Sequence, residues 1–226
     1  QKGFLPQQFE ANNLFFAYAQ NQLQATGNAQ SLKIKLNAPA LYELYPGLQG
    51  RAYGSLNVQS QPRLKATANI AVDNFAFNEL ASIRSLRIQG ELPTSEATPT
   101  LLIAKVDHLR SGNREIEDAT INLGGTRKAH VLKVESNNRQ SNFYVQLAGG
   151  FNQNNDWLGQ LQKGHFKSRR IDLVQNQSAP IIYSTAQSEL YIGQHCWQSL
   201  HSQVCLDQPA RMSQTKGSFS VITKNL

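Results

Sequence analysis

Long hydrophobic runs are missing from this chain of 226 residues. No uninterrupted apolar stretch reaches membrane-spanning length, and no signal-peptide pattern opens the chain. The motifs of common enzyme classes are missing too. There is no Gly-x-Ser-x-Gly elbow, phosphate loop, dinucleotide fingerprint or metalloprotease helix. Five histidines, His108, His130, His165, His195 and His201, are scattered along the chain. His130 opens a strand pattern and reads as a histidine hydrogen-bonded to its neighbours rather than as a base. Glu115 and Glu117 lie beside a turn and read as solvated charges. The chain is therefore read as non-enzymatic, with no cofactor.

Cysteine occurs twice, at Cys196 and Cys205. Two close cysteines with no other thiol suit a disulfide in an oxidising compartment such as the periplasm. Zinc is the alternative, because His195 and His201 lie nearby, but the spacing matches no standard zinc motif. No metal site is expected. Lysine and arginine total 22 against 15 acids, giving a net charge of +7. These cations are dispersed. Their densest cluster, Lys163, Lys167, Arg169 and Arg170, has no aromatic residues interleaved for base stacking, so no nucleic-acid partner is expected.

What the chain does have is a period of two. His130–Val134, Phe143–Leu147 and Trp157–Leu161 each place an apolar residue or glycine at every second position, with Asn-, Gln- and Ser-rich connections between them. That is the signature of strands with one buried and one wet face, joined as an antiparallel meander. The same rhythm runs through the rest. Residues 1–10 read as linker. Asn12–Gln20 and Leu23–Gly27 read as strands, and Ser31–Ala38 alternates strictly. Pro39 and Pro46-Gly47 bracket a short helix over Ala40–Tyr45. Strands then follow at Gly50–Gln59, Leu64–Val72, Leu86–Leu92, Leu102–Val106 and Ala119–Gly125. Pro62 makes a turn, Phe75–Leu80 a bulky connection, Pro93 a strand end and Ser111-Gly-Asn113 a hairpin. After Leu161 the pattern weakens, with candidates at Ile171–Leu173, Ile181–Tyr183, Leu190–Ile192, Val204–Leu206 and Gly217–Thr223. The count is about fourteen strands with one short helix, in a single β segment spanning 1–226 and expected to belong to a longer protein.

One-sided alternation along so much chain requires a sheet whose apolar face is covered. A second sheet, closure into a barrel, or bending into a trough whose walls face each other would each do so. Small residues in the apolar rows, Ala66, Ala68, Gly90, Ala104, Gly125 and Gly149, suit sharp bending and leave room inside. Period alone does not choose among the three.

Several features in order resemble the TamB family of the AsmA-like superfamily. They are Leu41-Tyr-Glu-Leu-Tyr-Pro-Gly-Leu-Gln-Gly50 before a strand, Pro62-Arg-Leu-Lys-Ala66, the step from Gly125 through His130 to Val134, Trp157-Leu-Gly-Gln-Leu161, and Cys196-Trp197 with Val204-Cys205-Leu206. The resemblance spans about Ala40 to Leu206. A second tryptophan expected near Ile171–Leu173 is not there.

The resemblance implies an all-β fold: a long, mostly antiparallel sheet bent into an open U-shaped groove (a β-taco) with an apolar interior. It implies a segment in the periplasm of a Gram-negative bacterium, in a protein anchored in the inner membrane. The implied function is to shield and conduct phospholipids between the two membranes. The alternative is a chaperone-like scaffold for outer-membrane barrel and autotransporter assembly. The implied partners are phospholipid acyl chains, the outer-membrane barrel protein TamA and nascent outer-membrane proteins. The apolar rows expected to line the groove are Leu32, Ile34, Leu36, Leu64, Ile70, Leu86, Ile88, Leu102, Val106, Ile121, Leu123, Leu132, Val134, Phe143, Val145, Leu147, Trp157 and Leu161.

Overall fold

Alternating apolar and polar residues become strands almost everywhere in the computed structural model, which describes residues 10–60, 63–92 and 94–225. These form seventeen strands of one antiparallel sheet and a single 3-10 turn. The expected residues 1–9 of the linker, the Pro62 turn and the Pro93 strand end lie outside the described residues. The strands outnumber the sequence count, and the chain divides into two compact units, Gln1–Thr120 and Ile121–Leu226.

The first unit is a meander of β1 (Glu10–Tyr18), β2 (Asn21–Asn28), β3 (Ser31–Ala38), β4 (Leu48–Gln59), β5 (Lys65–Phe77), β6 (Ala81–Glu91) and β7 (Thr100–Ser111), each paired with the next. β8 (Arg114–Gly125) carries residues of both units. The helix expected over Ala40–Tyr45 is shorter: one 3-10 turn at Leu41–Glu43. A side chain from another strand fastens it. Asn21, 4% exposed, accepts from the Ala40 N–H at 3.1 Å and donates to the Ala40 carbonyl at 2.8 Å and to Glu43 Oε2 at 3.2 Å. Those bonds satisfy backbone groups that a one-turn helix leaves open. Leu41 thereby packs with Ala38 and Ala52, against Leu36, Leu48, Val72 and Phe75.

Phe75–Phe77 is not a connection but the end of β5. A shift in phase hides this in the sequence. Val72, Leu86 and Val106 face one another across β5–β7, and so do Phe75, Ile83 and Leu109, three residues further along each strand. Val72 and Phe75 nevertheless pack on the same cluster. Strict alternation would put them on opposite faces, so each strand carries one extra residue between the two rows. Asn74 and His108 take φ of 50° and 49° there, in the left-handed region that asparagine and histidine enter more readily than most residues. On the polar side, Arg87 pairs with Asp73 at 2.5 Å, and Arg84 grips Asp107 at 2.5 and 2.6 Å with His108 at 2.7 Å. Arg84 first, and His108 second, hold the Asp107 carboxyl below the usual carboxylate range.

The second unit holds β9 (His130–Asn137), β10 (Ser141–Phe151), β11 (Trp157–Ser168), β12 (Asp172–Gln175), β13 (Ala179–Ser184), β14 (Glu189–Ile192), β15 (His195–Gln198), β16 (Gln203–Met212) and β17 (Gly217–Lys224). β12 and β13 both pair with β11, at Phe166↔Leu173 and Leu161↔Ala179. β14 and β15 both pair with β16. Each couple is one long strand broken in the middle. This is why the alternation weakens after Leu161.

Candidate functional site

In the first unit the register aligns apolar residues into rows running across the strands. One row runs Phe16, Leu23, Leu36, Gly54, Ile70, Ile88, Ala104. The next runs Leu14, Ala25, Ile34, Leu56, Ala68, Gly90, Leu102, and others join Leu32 to Val58 and Leu86 to Val106. The alternate positions form polar rows such as Thr26, Lys33, Asn57, Thr67, Glu91. Leu64 lies just before β5 and is 39% exposed.

In the second unit Leu132, Leu147 and Leu161 share a row, Val134, Val145 and Gly164 another, and Phe143 lies opposite Phe166. Ile121 and Leu123 alternate along β8. The lining expected from the sequence ended at Leu161. The rows continue through Trp157, Tyr183, Leu190 and Met212, and from Gly159 through Ile181 and Ile192 to Ala210. The interruptions in β12–β15 removed the signal that would have shown it.

These faces are not the inside of a filled core. Among the described residues the buried apolar positions are seven alanines plus Leu41 and Leu161, and no large side chain is fully buried. Packed interiors bury large side chains completely and close around them. Here Leu32, Ile34, Leu36, Ile70, Ile88, Leu132, Val145 and Leu147 are all half-buried. Each unit thus presents a broad apolar surface that is only partly covered.

Two tryptophans lie on glycines of the second face. Gly149 and Gly159 are opposite each other, and a Cβ on them would come within 2.6 and 2.4 Å of the Trp157 ring. Only glycine leaves room for an aromatic ring that close to the backbone. The Trp157 indole N–H donates to His130 Nε2 at 2.8 Å. His130 Nδ1 lies 3.0 Å from the Thr126 carbonyl, so it carries the proton. His130 is buried, hydrogen-bonded on both sides, and leaves no lone pair for base chemistry. Trp197 lies in the same way on Gly164, a contact between distant residues with no sequence signal.

Cys196 and Cys205 face each other across β15 and β16 and are disulfide-bonded, with Cα atoms 4.0 Å apart. The bond lies on the face opposite Trp197 and Val204. Among the described residues no group of three or more His, Cys, Asp or Glu could hold a metal ion. Alkylation of the unreduced, denatured chain is expected to find no reactive thiol, and two labelled thiols would overturn the bond. Replacing both cysteines by serine is expected to lower stability to urea by about 2–3 kcal/mol, from the freed loop in the unfolded chain.

A family model described as TamB, N-terminal domain, matches residues 5–226. The chain belongs to the TamB family. It is similar to the translocation and assembly module subunit TamB of Haemophilus influenzae, 24% identical over 204 residues that cover 87% of this chain. The match spans 16% of that protein's length. No solved structure matches the chain. Several features that carry the family resemblance sit on the apolar face of the second unit: His130 at the start of β9, and Trp157, Gly159 and Leu161 in β11. Among the described residues no helix is long and apolar enough to cross a membrane.

Proposed function

We propose that the apolar face of each unit lines a groove that shields phospholipid acyl chains from water. By this reading the segment lies in the periplasm of a Gram-negative bacterium, in a TamB protein anchored in the inner membrane, and conducts lipid between the two membranes without catalysis. The observation that carries it is the half-burial of in-register apolar rows with, among the described residues, no large side chain fully buried. Apolar surface of this extent is unfavourable in water at roughly 25 cal/mol per Å2, and acyl chains laid along it would remove that exposure. The eighteen positions named from the sequence are then the lining, joined by Trp197, Phe166, Ile181 and Ile192.

Photocrosslinkers at Ile34, Ile121 and Val145 are expected to capture phospholipid, and those at the outward neighbours Lys33, Asn122 and Gln146 are not. Equal labelling of both sets, or none at any site, would reject the groove. A second reading rests on β1, where Leu14, Phe15, Phe16 and Tyr18 are all more than half exposed. Such a strand could template nascent outer-membrane strands in concert with TamA. Captured unfolded barrel peptide without lipid would favour that scaffold.

A further inference from the structure

The groove reading leaves the polar end of a lipid unplaced. Antiparallel pairing collects three hairpin tips of the second unit at one end of its strands. They are 138–140 between β9 and β10, 169–171 between β11 and β12, and 199–202 between β15 and β16. Lys224, opposite Gln203, ends β17 at the same level. Among the described residues this rim holds the cations Arg139, Lys167, Arg169, Arg170 and Lys224 against one exposed acid, Asp172. Asp172 is taken by Lys167 at 3.1 Å and by His165 at 2.6 Å. Among the described residues the guanidinium groups of Arg169 and Arg170 have no partner. The arginines at the opposite ends of the same strands differ. There Arg127 is bound to Asn155 and lies over the Phe151 ring, and Arg211 is bound to Glu189 at 2.7 Å.

Immediately inside the cationic rim lies the last apolar row, Phe143, Phe166 and Leu173. Two to three residues separate that row from Arg169, roughly 7–10 Å at the rise of a strand. Leu200, at the tip beside it, is 95% exposed. An apolar surface ending in the two exposed guanidinium groups of Arg169 and Arg170 matches a molecule with acyl chains joined to an anion.

We propose that the Arg169–Arg170 rim binds the phosphate of an anionic phospholipid whose acyl chains lie on the apolar face of the second unit. The proposal rests on the groove reading and adds a polarity to it. The rim fixes which end of the strands the headgroup occupies, and it favours lipids with net negative charge over zwitterionic ones. Arginine suits this task because its planar fork meets a phosphate with two donors.

The test uses the full chain and two probes with identical chains, dioleoyl-phosphatidylglycerol and the uncharged dioleoylglycerol, delivered from cyclodextrin and counted by native mass spectrometry. Arg169→Glu with Arg170→Glu is expected to weaken phosphatidylglycerol binding about tenfold, the scale of two cations beside an anionic headgroup partly screened by salt. Dioleoylglycerol binding should be unchanged. Lys33→Glu with Lys35→Glu, the same charge change on the polar face of the first unit, should alter neither. In the unmodified chain, added salt should weaken phosphatidylglycerol selectively, a readout that does not depend on the variant folding. Equal binding of the two probes, insensitive to salt and to the arginines, would overturn the rim and leave the groove standing. Failure of both probes to bind the unmodified chain would overturn the groove and the rim with it.

Discussion

A single aspartate at Val145 is expected to abolish lipid passage while leaving the sheet folded. Val145 lies between Val134 on β9 and Gly164 on β11, in the middle of the second apolar face, and is half-buried. In a filled core an unpaired carboxylate is expensive, because nothing replaces the water it loses. At a half-buried position it keeps part of that water. The expected cost is about 1 kcal/mol, which lowers the melting temperature by about 2–4 °C for a chain of this size. The effect on function should be far larger, since a fixed charge on the wall cannot be crossed by acyl chains without displacing its hydration. In the full-length protein Val145→Asp is expected to remove both phospholipid capture and outer-membrane maintenance, with circular dichroism unchanged. A fully active variant would show that this face is not the conduit, and the scaffold reading would take its place. A variant that unfolds would show instead that the face is a packed core.

Gly159→Val is expected to have the largest effect on stability. A Cβ at this position would lie 2.4 Å from the Trp157 ring, 2.5 Å from the Ala148 carbonyl oxygen and 2.8 Å from the Gly149 Cα. Two of those three neighbours are backbone of the paired strand and cannot swing aside. The ring can move, but only by giving up its hydrogen bond to His130, which is 7% exposed and, among the described residues, has no other donor for Nε2. Forced overpacking costs about 1–3 kcal/mol and the stranded acceptor about 1–3 more. A loss of about 2–6 kcal/mol in urea unfolding is therefore expected. In a Trp197→Phe background, Trp157 emission should shift to the red in the folded protein. Gly217→Ala is the control, because its Cβ would meet only Met212 Cγ at 3.7 Å. If both substitutions cost the same small amount, Trp157 is not held on the glycine pair.

Much of this was legible in the residues alone. Alternation at period two along Ser31–Ala38 and from His130 to Leu161 determined the strands, their faces and the apolar rows. It could do so because a strand's side chains point up and down regardless of what lies beside it. The cysteine pair was legible for a similar reason: close spacing and the lack of any other thiol. What the tertiary structure alone decided are the departures from local rhythm and the meetings of distant residues. The added residue that moves Phe75, Ile83 and Leu109 into phase with Val72, Leu86 and Val106 carries no turn signal, since it is accommodated by register with neighbouring strands. The breaks between β12 and β13 and between β14 and β15 follow from both members of each couple sharing one partner strand. The Asn21 clasp on Ala40, Trp197 on Gly164, and the gathering of residues 139, 169 and 200 at one rim join positions far apart in sequence. Pairing geometry sets those distances, and no periodicity within a single strand encodes it.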